Sequence, residues 1–138
     1  MVDWEPILKE AGKQVQEISD RLKGTERGRE SRGRGAGGDI TMRVDAEAEE
    51  CIVKLVRGQV RDVRVVAEEA GVIGAGRARW TVVVDPIDGS TNYARGLPFY
   101  CTSIAVLEGE SLEHVKYGLV RNLINWAAAS LCWLVAGI

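Results

Sequence analysis

One stretch of this chain leaves few folds open to it: Trp80-Thr81-Val82-Val83-Val84 runs without interruption into Asp85-Pro86-Ile87-Asp88-Gly89-Ser90-Thr91. The first part is short, β-branched and almost continuously apolar, the pattern of a strand covered on both faces. Asp85 leaves that strand, Pro86 fixes a turn, and Asp88 is brought back toward the same side, so both carboxylates can face one hard cation. Gly89, Ser90 and Thr91 read as the opening of a helix, whose free N–H groups and positive dipole end favour a phosphate. Cation and anion positions then adjoin, an arrangement suited to phosphoryl transfer. Asp, Pro, Gly and Ser are also the ordinary turn residues, so the pattern alone leaves a surface turn with an N-cap equally open.

A second acidic pair adds to the first. Val63 to Ala67 reads as another short strand and runs directly into Glu68-Glu69. Consecutive strands usually lie side by side, which brings the carboxylates of Glu68, Glu69, Asp85 and Asp88 to one sheet edge. Such a group repels itself unless cations bind it. Taken alone, Glu68-Glu69 reads as a solvated turn.

The remaining elements follow from periodicity. Trp4, Ile7, Leu8, Ala11, Val15, Ile18 and Leu22 predict an amphipathic helix over 3–23, with Asp3 as N-cap and Gly24 past its end. Val44, Ala48, Cys51, Ile52, Leu55 and Val56 predict a second over 45–57, ended by Gly58. Tyr100 to Leu107 and His114 to Val120 predict two antiparallel strands joined by a Glu-Gly-Glu-Ser turn. Between the helices, Gly24 to Gly38 holds six glycines and four arginines and no large apolar residue, so a mobile surface loop is expected. Together these elements predict an α+β fold with helices packed on a mainly antiparallel sheet, and 138 residues suit one ordinary domain.

Charge and cysteines narrow the function classes. A net charge of −2 gives no global attraction to nucleic acid or to an anionic membrane, so neither is expected as a partner. Cys51, Cys101 and Cys132 are widely separated, with no paired spacing, which predicts reduced thiols in a cytoplasm. Residues 1–6 lack the basic-then-apolar pattern of an export signal. Cys51 and Cys101 read as packing residues, and His114 as a surface residue without a partner at ligand spacing.

The run WTVVVDPIDGSTNY, with AEEAG upstream and the stretch from Asp39 to Asp45 before it, resembles the inositol monophosphatase family. These are metal-dependent, lithium-sensitive phosphomonoesterases, and they include archaeal enzymes that also act on fructose 1,6-bisphosphate. The likeness covers 1–123 and implies the N-terminal part of the sugar-phosphatase αβαβα sandwich. It implies Mg²⁺-dependent hydrolysis of a small phosphorylated metabolite, inositol monophosphate or fructose 1,6-bisphosphate, by a metal-activated water, and a homodimer. Carried over position by position, Glu68 and Asp85 hold a first Mg²⁺ with the backbone carbonyl of Ile87, and Asp85 and Asp88 hold a second. Glu69 supports this set or a weaker third ion, Gly89 and Ser90 offer N–H groups to the phosphate, and Asp45 pairs with the Ser90 hydroxyl to orient and deprotonate the attacking water.

The Gly/Arg stretch 24–38 falls where the family has a mobile loop that closes near the metals. Arg27, Arg29, Arg32 and Arg34 could there neutralise a second phosphate, or simply be solvated, since spacing singles out none of them. The family's later W-D-x-A-A-G stretch, which supplies a further ligand to the second ion, is absent from these residues. The apolar, uncharged segment 124–138 reads as a divergent hairpin strand around Leu131 to Ala136, as out-of-frame or truncated sequence, or as a membrane tail too short for a comfortable span. A truncated remnant that binds metal or a partner chain without turnover is therefore the alternative function.

Overall fold

The computed structural model describes residues 1–36, 40–74, 76–124 and 131–134. Two helices, α1 (Trp4–Leu22) and α2 (Arg43–Gln59), lie on a six-stranded sheet. Its strands are β3 (Val63–Ala67), β4 (Gly71–Ile73), β5 (Trp80–Asp88), β6 (Cys101–Glu108), β7 (Val115–Asn122) and β8 (Leu131–Leu134), in the order β4-β3-β5-β6-β7-β8. Only β3 and β5 pair in parallel; every other neighbouring pair is antiparallel, as expected. A separate two-stranded ribbon joins β1 (Ser31–Arg34) to β2 (Ile40–Met42).

The helices form because their apolar stripes have somewhere to go. Trp4, Leu8, Ala11 and Val15 of α1 and Val44, Ala48, Ile52 and Val56 of α2 are all fully buried. They meet the sheet face built from Val65, Val82, Val84, Ile104 and Leu119, and Trp4 packs edge-on against Trp80 with ring centroids 5.5 Å apart. Buried Gln16 secures α1 to the far end of β7 by donating Nε2–H to the Leu123 carbonyl at 2.6 Å. Asp3 occupies the N-cap position but its side chain caps nothing.

Three departures from the expected elements have physical causes. Strand β5 does not stop at Val84: Asp85 pairs with Ser103 and Asp88 with Cys101, so the extra residue on β5 forms a bulge that accommodates Pro86, which has no N–H to give the ladder. Over 27–34, where a mobile loop is expected, a 3₁₀ turn (Arg27–Arg29) and β1 appear; all four β1 residues are exposed, so backbone pairing with β2 holds the strand rather than burial. Strand β4 follows the Glu68-Glu69-Ala70 turn so closely that its three residues carry no pattern of their own. In the tail, β8 pairs antiparallel with β7. Residues 125–130 and 135–138, including the turn expected around Asn125, lie outside the described residues. No helix of the described residues is long and apolar enough to cross a membrane.

Candidate metal and phosphate site

The parallel register decides which acids meet. Val63 stands opposite Trp80 and Ala67 opposite Val84, and the Glu68 N–H reaches the Val84 carbonyl at 3.3 Å. Glu68 therefore follows β3 just where Asp85 continues β5, on the same side of the pleat. Burial raises the Asp85 carboxyl to about 7, helped by hydrogen bonding and repulsion from Glu68 and then by Asp88 and Glu69. Asp85 Oδ1 is a buried oxygen without a hydrogen-bond partner among the described residues. Two neighbouring strands thus bring Glu68, Glu69, Asp85 and Asp88 within electrostatic reach.

Asp45 joins them from the other side of the sheet. It lies in the first turn of α2, is 2% exposed, and accepts the Met42 N–H at 3.3 Å. Its carboxyl is also raised to about 7, first by burial, then by Glu69, and more weakly by Glu68 and Asp85, against the lowering effect of the Met42 bond. The Met42 bond ties this carboxylate to the start of the helix.

A residue that the pattern reading passed over fixes the acidic turn. Glu49 of α2 is 4% exposed, and its two carboxylate oxygens accept the Glu69 N–H at 2.8 Å and the Ala70 N–H at 2.9 Å. These are charge-assisted bonds to backbone groups that the hairpin leaves unpaired. In the sequence the signal is present but faint: an acid four residues after Asp45, on the same helical face.

The phosphate-facing part is set by backbone sterics. After Asp88 the chain turns at Gly89, with φ 91°, into α3 (Ser90–Arg95). A Cβ at Gly89 would stand 2.7 Å from the Phe99 carbonyl oxygen, so only glycine fits. Tyr93 holds α3 down, donating its hydroxyl to the Ser19 carbonyl at 2.8 Å and stacking edge-on to Tyr100. The first N–H groups of α3 have no partner within the helix.

Around these groups, a cleft of about 600 Å³ is lined by Glu68, Glu69, Ser90, Thr91, Arg34 and Arg95 among others. Asp88 and Gly89 border a second cleft, beside Asn92 and Cys101, and Asp85 a third, beside Val83 and Ser103. Ile87 is buried between them. The structure gathers Glu68, Glu69 and Ser90 into one opening and leaves Asp85 and Asp88 at its adjoining walls. Among the described residues, no three His, Cys, Asp or Glu side chains converge closely enough to hold an ion as they stand. The donor chemistry nonetheless fits a hard cation: all donors are oxygens, burial and then mutual repulsion raise two carboxyls, and one buried oxygen has no partner among the described residues.

The other singled-out residues lie elsewhere. His114 is exposed in a 3₁₀ turn, and half-buried Cys51 donates to Gln14 Oε1 at 2.8 Å. Cys101 borders Asp88, 3.8 Å away.

The family model that matches residues 3–130 is the inositol monophosphatase family. A fructose-1,6-bisphosphatase/inositol-1-monophosphatase of Thermococcus kodakarensis is 37% identical over 108 residues, covering 78% of this chain and 41% of that protein. One of Methanothermobacter thermautotrophicus is 33% identical, covering 97% of this chain and 50% of that protein. A crystal structure described as an inositol monophosphatase-fructose 1,6 bisphosphatase superposes with a TM-score of 0.80 at 29% identity, over 98% of this chain and 50% of that one. The chain thus spans about half the length of the relatives it matches.

Proposed function

Because the chain belongs to the inositol monophosphatase family, we propose that it provides the metal- and phosphate-binding part of a site that hydrolyses a phosphate monoester, such as an inositol phosphate or fructose 1,6-bisphosphate. The observation that carries this reading is the electrostatic coupling of Asp45, Glu68, Glu69, Asp85 and Asp88 beside the glycine-led start of α3. The family is metal-dependent, generally on Mg²⁺. Glu68, Asp85 and the Ile87 carbonyl would hold one ion, Asp85 and Asp88 a second, and Glu69 would support them. When bound, Mg²⁺ would polarise the phosphate and lower the pKa of water.

The chain's own residues then divide the remaining tasks. Gly89 and Ser90 present N–H groups to the phosphate oxygens, and the α3 dipole favours the anion. Asp45, with a carboxyl near 7, is placed to take a proton from an attacking water at neutral pH, and it orients that water while the turn fixed by Glu49 keeps Glu68 and Glu69 in place.

A second reading is binding of metal or of a partner chain without turnover. Phosphate release from inositol 1-phosphate and from fructose 1,6-bisphosphate, with and without Mg²⁺, separates the two. Magnesium-dependent release in the wild type that disappears in Asp85→Asn supports hydrolysis. Mg²⁺ binding by calorimetry with no release supports the second reading, and neither binding nor release refutes both. A homodimer, formed over the apolar side of the sheet turned away from the helices, is part of the proposal and is tested by light scattering of the purified chain.

A further inference from the structure

The turn that carries Asp88 into α3 is crowded on one side by a single oxygen. A Cβ at Gly89 would stand 2.7 Å from the Phe99 carbonyl oxygen, so the turn and the segment returning to β6 lie against each other. Asn92 sets that approach, because its side-chain Nδ2–H donates to the same Phe99 carbonyl at 2.9 Å. Its backbone carbonyl accepts the Leu97 N–H, also at 2.9 Å. One residue thus fixes both ends of the 97–99 segment.

Tyr93 holds the other side of the turn. Its backbone N–H donates to the Gly89 carbonyl at 3.0 Å, and its hydroxyl donates to the Ser19 carbonyl of α1 at 2.8 Å. Tyr93 is 4% exposed and Ser19 is fully buried, so water does not compete for the hydroxyl bond. The same stretch of α1 reaches the end of β7, where Gln16 donates to the Leu123 carbonyl and the Leu123 N–H reaches the Tyr100 carbonyl at 3.4 Å. Tyr100 meets the Tyr93 ring edge-on, with centroids 5.1 Å apart. These contacts close a circuit from α1 through Leu123, Tyr100 and Tyr93 back to α1. A helix of six residues does not hold itself in water, so the direction of α3 is set by these bonds.

We infer that Asn92 and Tyr93 are positioning residues that fix the Asp88–Gly89–Ser90 turn in the orientation phosphate binding requires. Neither borders the cleft shared by Glu68, Glu69 and Ser90, so both act through the turn and not on the ligand. The need is for fixed direction: backbone N–H groups hold an anion only while they point at it, and hydrogen bonds weaken steeply with misalignment. Asn92 holds the turn from the β6 side and Tyr93 from the helix layer. The inference rests on the proposed phosphomonoester reading and names the residues that keep its phosphate-facing turn in place.

The test is titration of the whole chain with inorganic phosphate by calorimetry, with Mg²⁺ present. Tyr93→Phe removes only a hydroxyl, and Asn92→Ala introduces the best helix former, so both variants keep the fold. Each should weaken phosphate binding about threefold to tenfold, the worth of one hydrogen bond. Val56→Ala is the control: Val56 is fully buried on α2 and stands outside the circuit. It should lower the melting temperature at least as much as either variant, yet bind phosphate as tightly as the wild type. Variants that bind phosphate like the wild type, or a Val56→Ala chain that loses as much affinity as they do, overturn the positioning role and leave the phosphomonoester reading standing. A wild type that binds no phosphate overturns both.

Discussion

The two faces of the central sheet both carry valines, and those valines are quite unlike in fate. Toward the helices, Val65, Val82, Val84, Ile104 and Leu119 are buried at 3% exposure or less. On the opposite face their neighbours Val66, Val83 and Ala105 are only half-buried, and Val120 is 48% exposed. The uninterrupted apolar run of β5 is what a strand covered on both sides requires, yet among the described residues only one side is covered. The acids divide across the same line. Glu68 and Asp85 continue the open face, whereas Asp45 and Glu49 arrive from the buried helix layer. The packed layer positions, and the open layer presents the oxygens.

Substitutions can break or sharpen that contrast. The largest effect is expected where the open face turns into α3. Gly89→Ala forces an L residue into a left-handed backbone and drives its Cβ against the Phe99 carbonyl, a loss of about 3 kcal/mol in denaturant unfolding. Next comes the matched pair within β5. Val82→Ala should cost about 2 kcal/mol and Val83→Ala under ~1, because only Val82 leaves a closed cavity. Equal losses would mean that a layer covers both faces in solution. Glu49→Gln should cost about 1 to 2 kcal/mol, since an amide has one acceptor oxygen for two buried N–H groups, and should weaken Mg²⁺ binding in the same calorimetric titration.

A pH dependence tests the same contrast without any substitution. Asp45 and Asp85 have folded carboxyls near 7, above their ordinary value near 4, so the folded chain binds more protons than the unfolded chain between those limits. Without metal, stability should be greatest at acid pH and fall as pH rises through 7, the reverse of a salt-bridged acid. Saturating Mg²⁺ should flatten the curve and release protons at pH 6. Urea midpoints at pH 5 and pH 8 check the sign.

Much of the framework was legible because it repeats. The apolar stripes of α1 and α2 locate both helices to within two residues, and the β-branched runs locate β3 and the start of β5, since burial against one partner imposes a period. The bulge at Pro86 was not legible: a turn and a bulge use the same residues, and only pairing with β6 distinguishes them. Strand β1 was illegible for a similar reason, being exposed throughout and held by backbone bonds to β2. At the site, Asp85, Asp88 and Gly89 stand out through their spacing. Glu49 and Arg95 do not, because an acid on a helix and a basic residue at a helix end are common features of solvated surfaces.

What the sequence determined by itself was the chemistry on offer: paired acids at two strand ends, a glycine where the chain turns, and an apolar pattern that makes those segments strands. Which acids meet was decided by the parallel register of β3 and β5, which sets Glu68 beside Asp85. Where the end of β1 is fastened to the acidic turn was decided by a single backbone bond from Ala36 to Glu69. Both decisions lie in the tertiary structure because they depend on contacts between distant segments, and local composition sets a residue's chemistry without setting its neighbours.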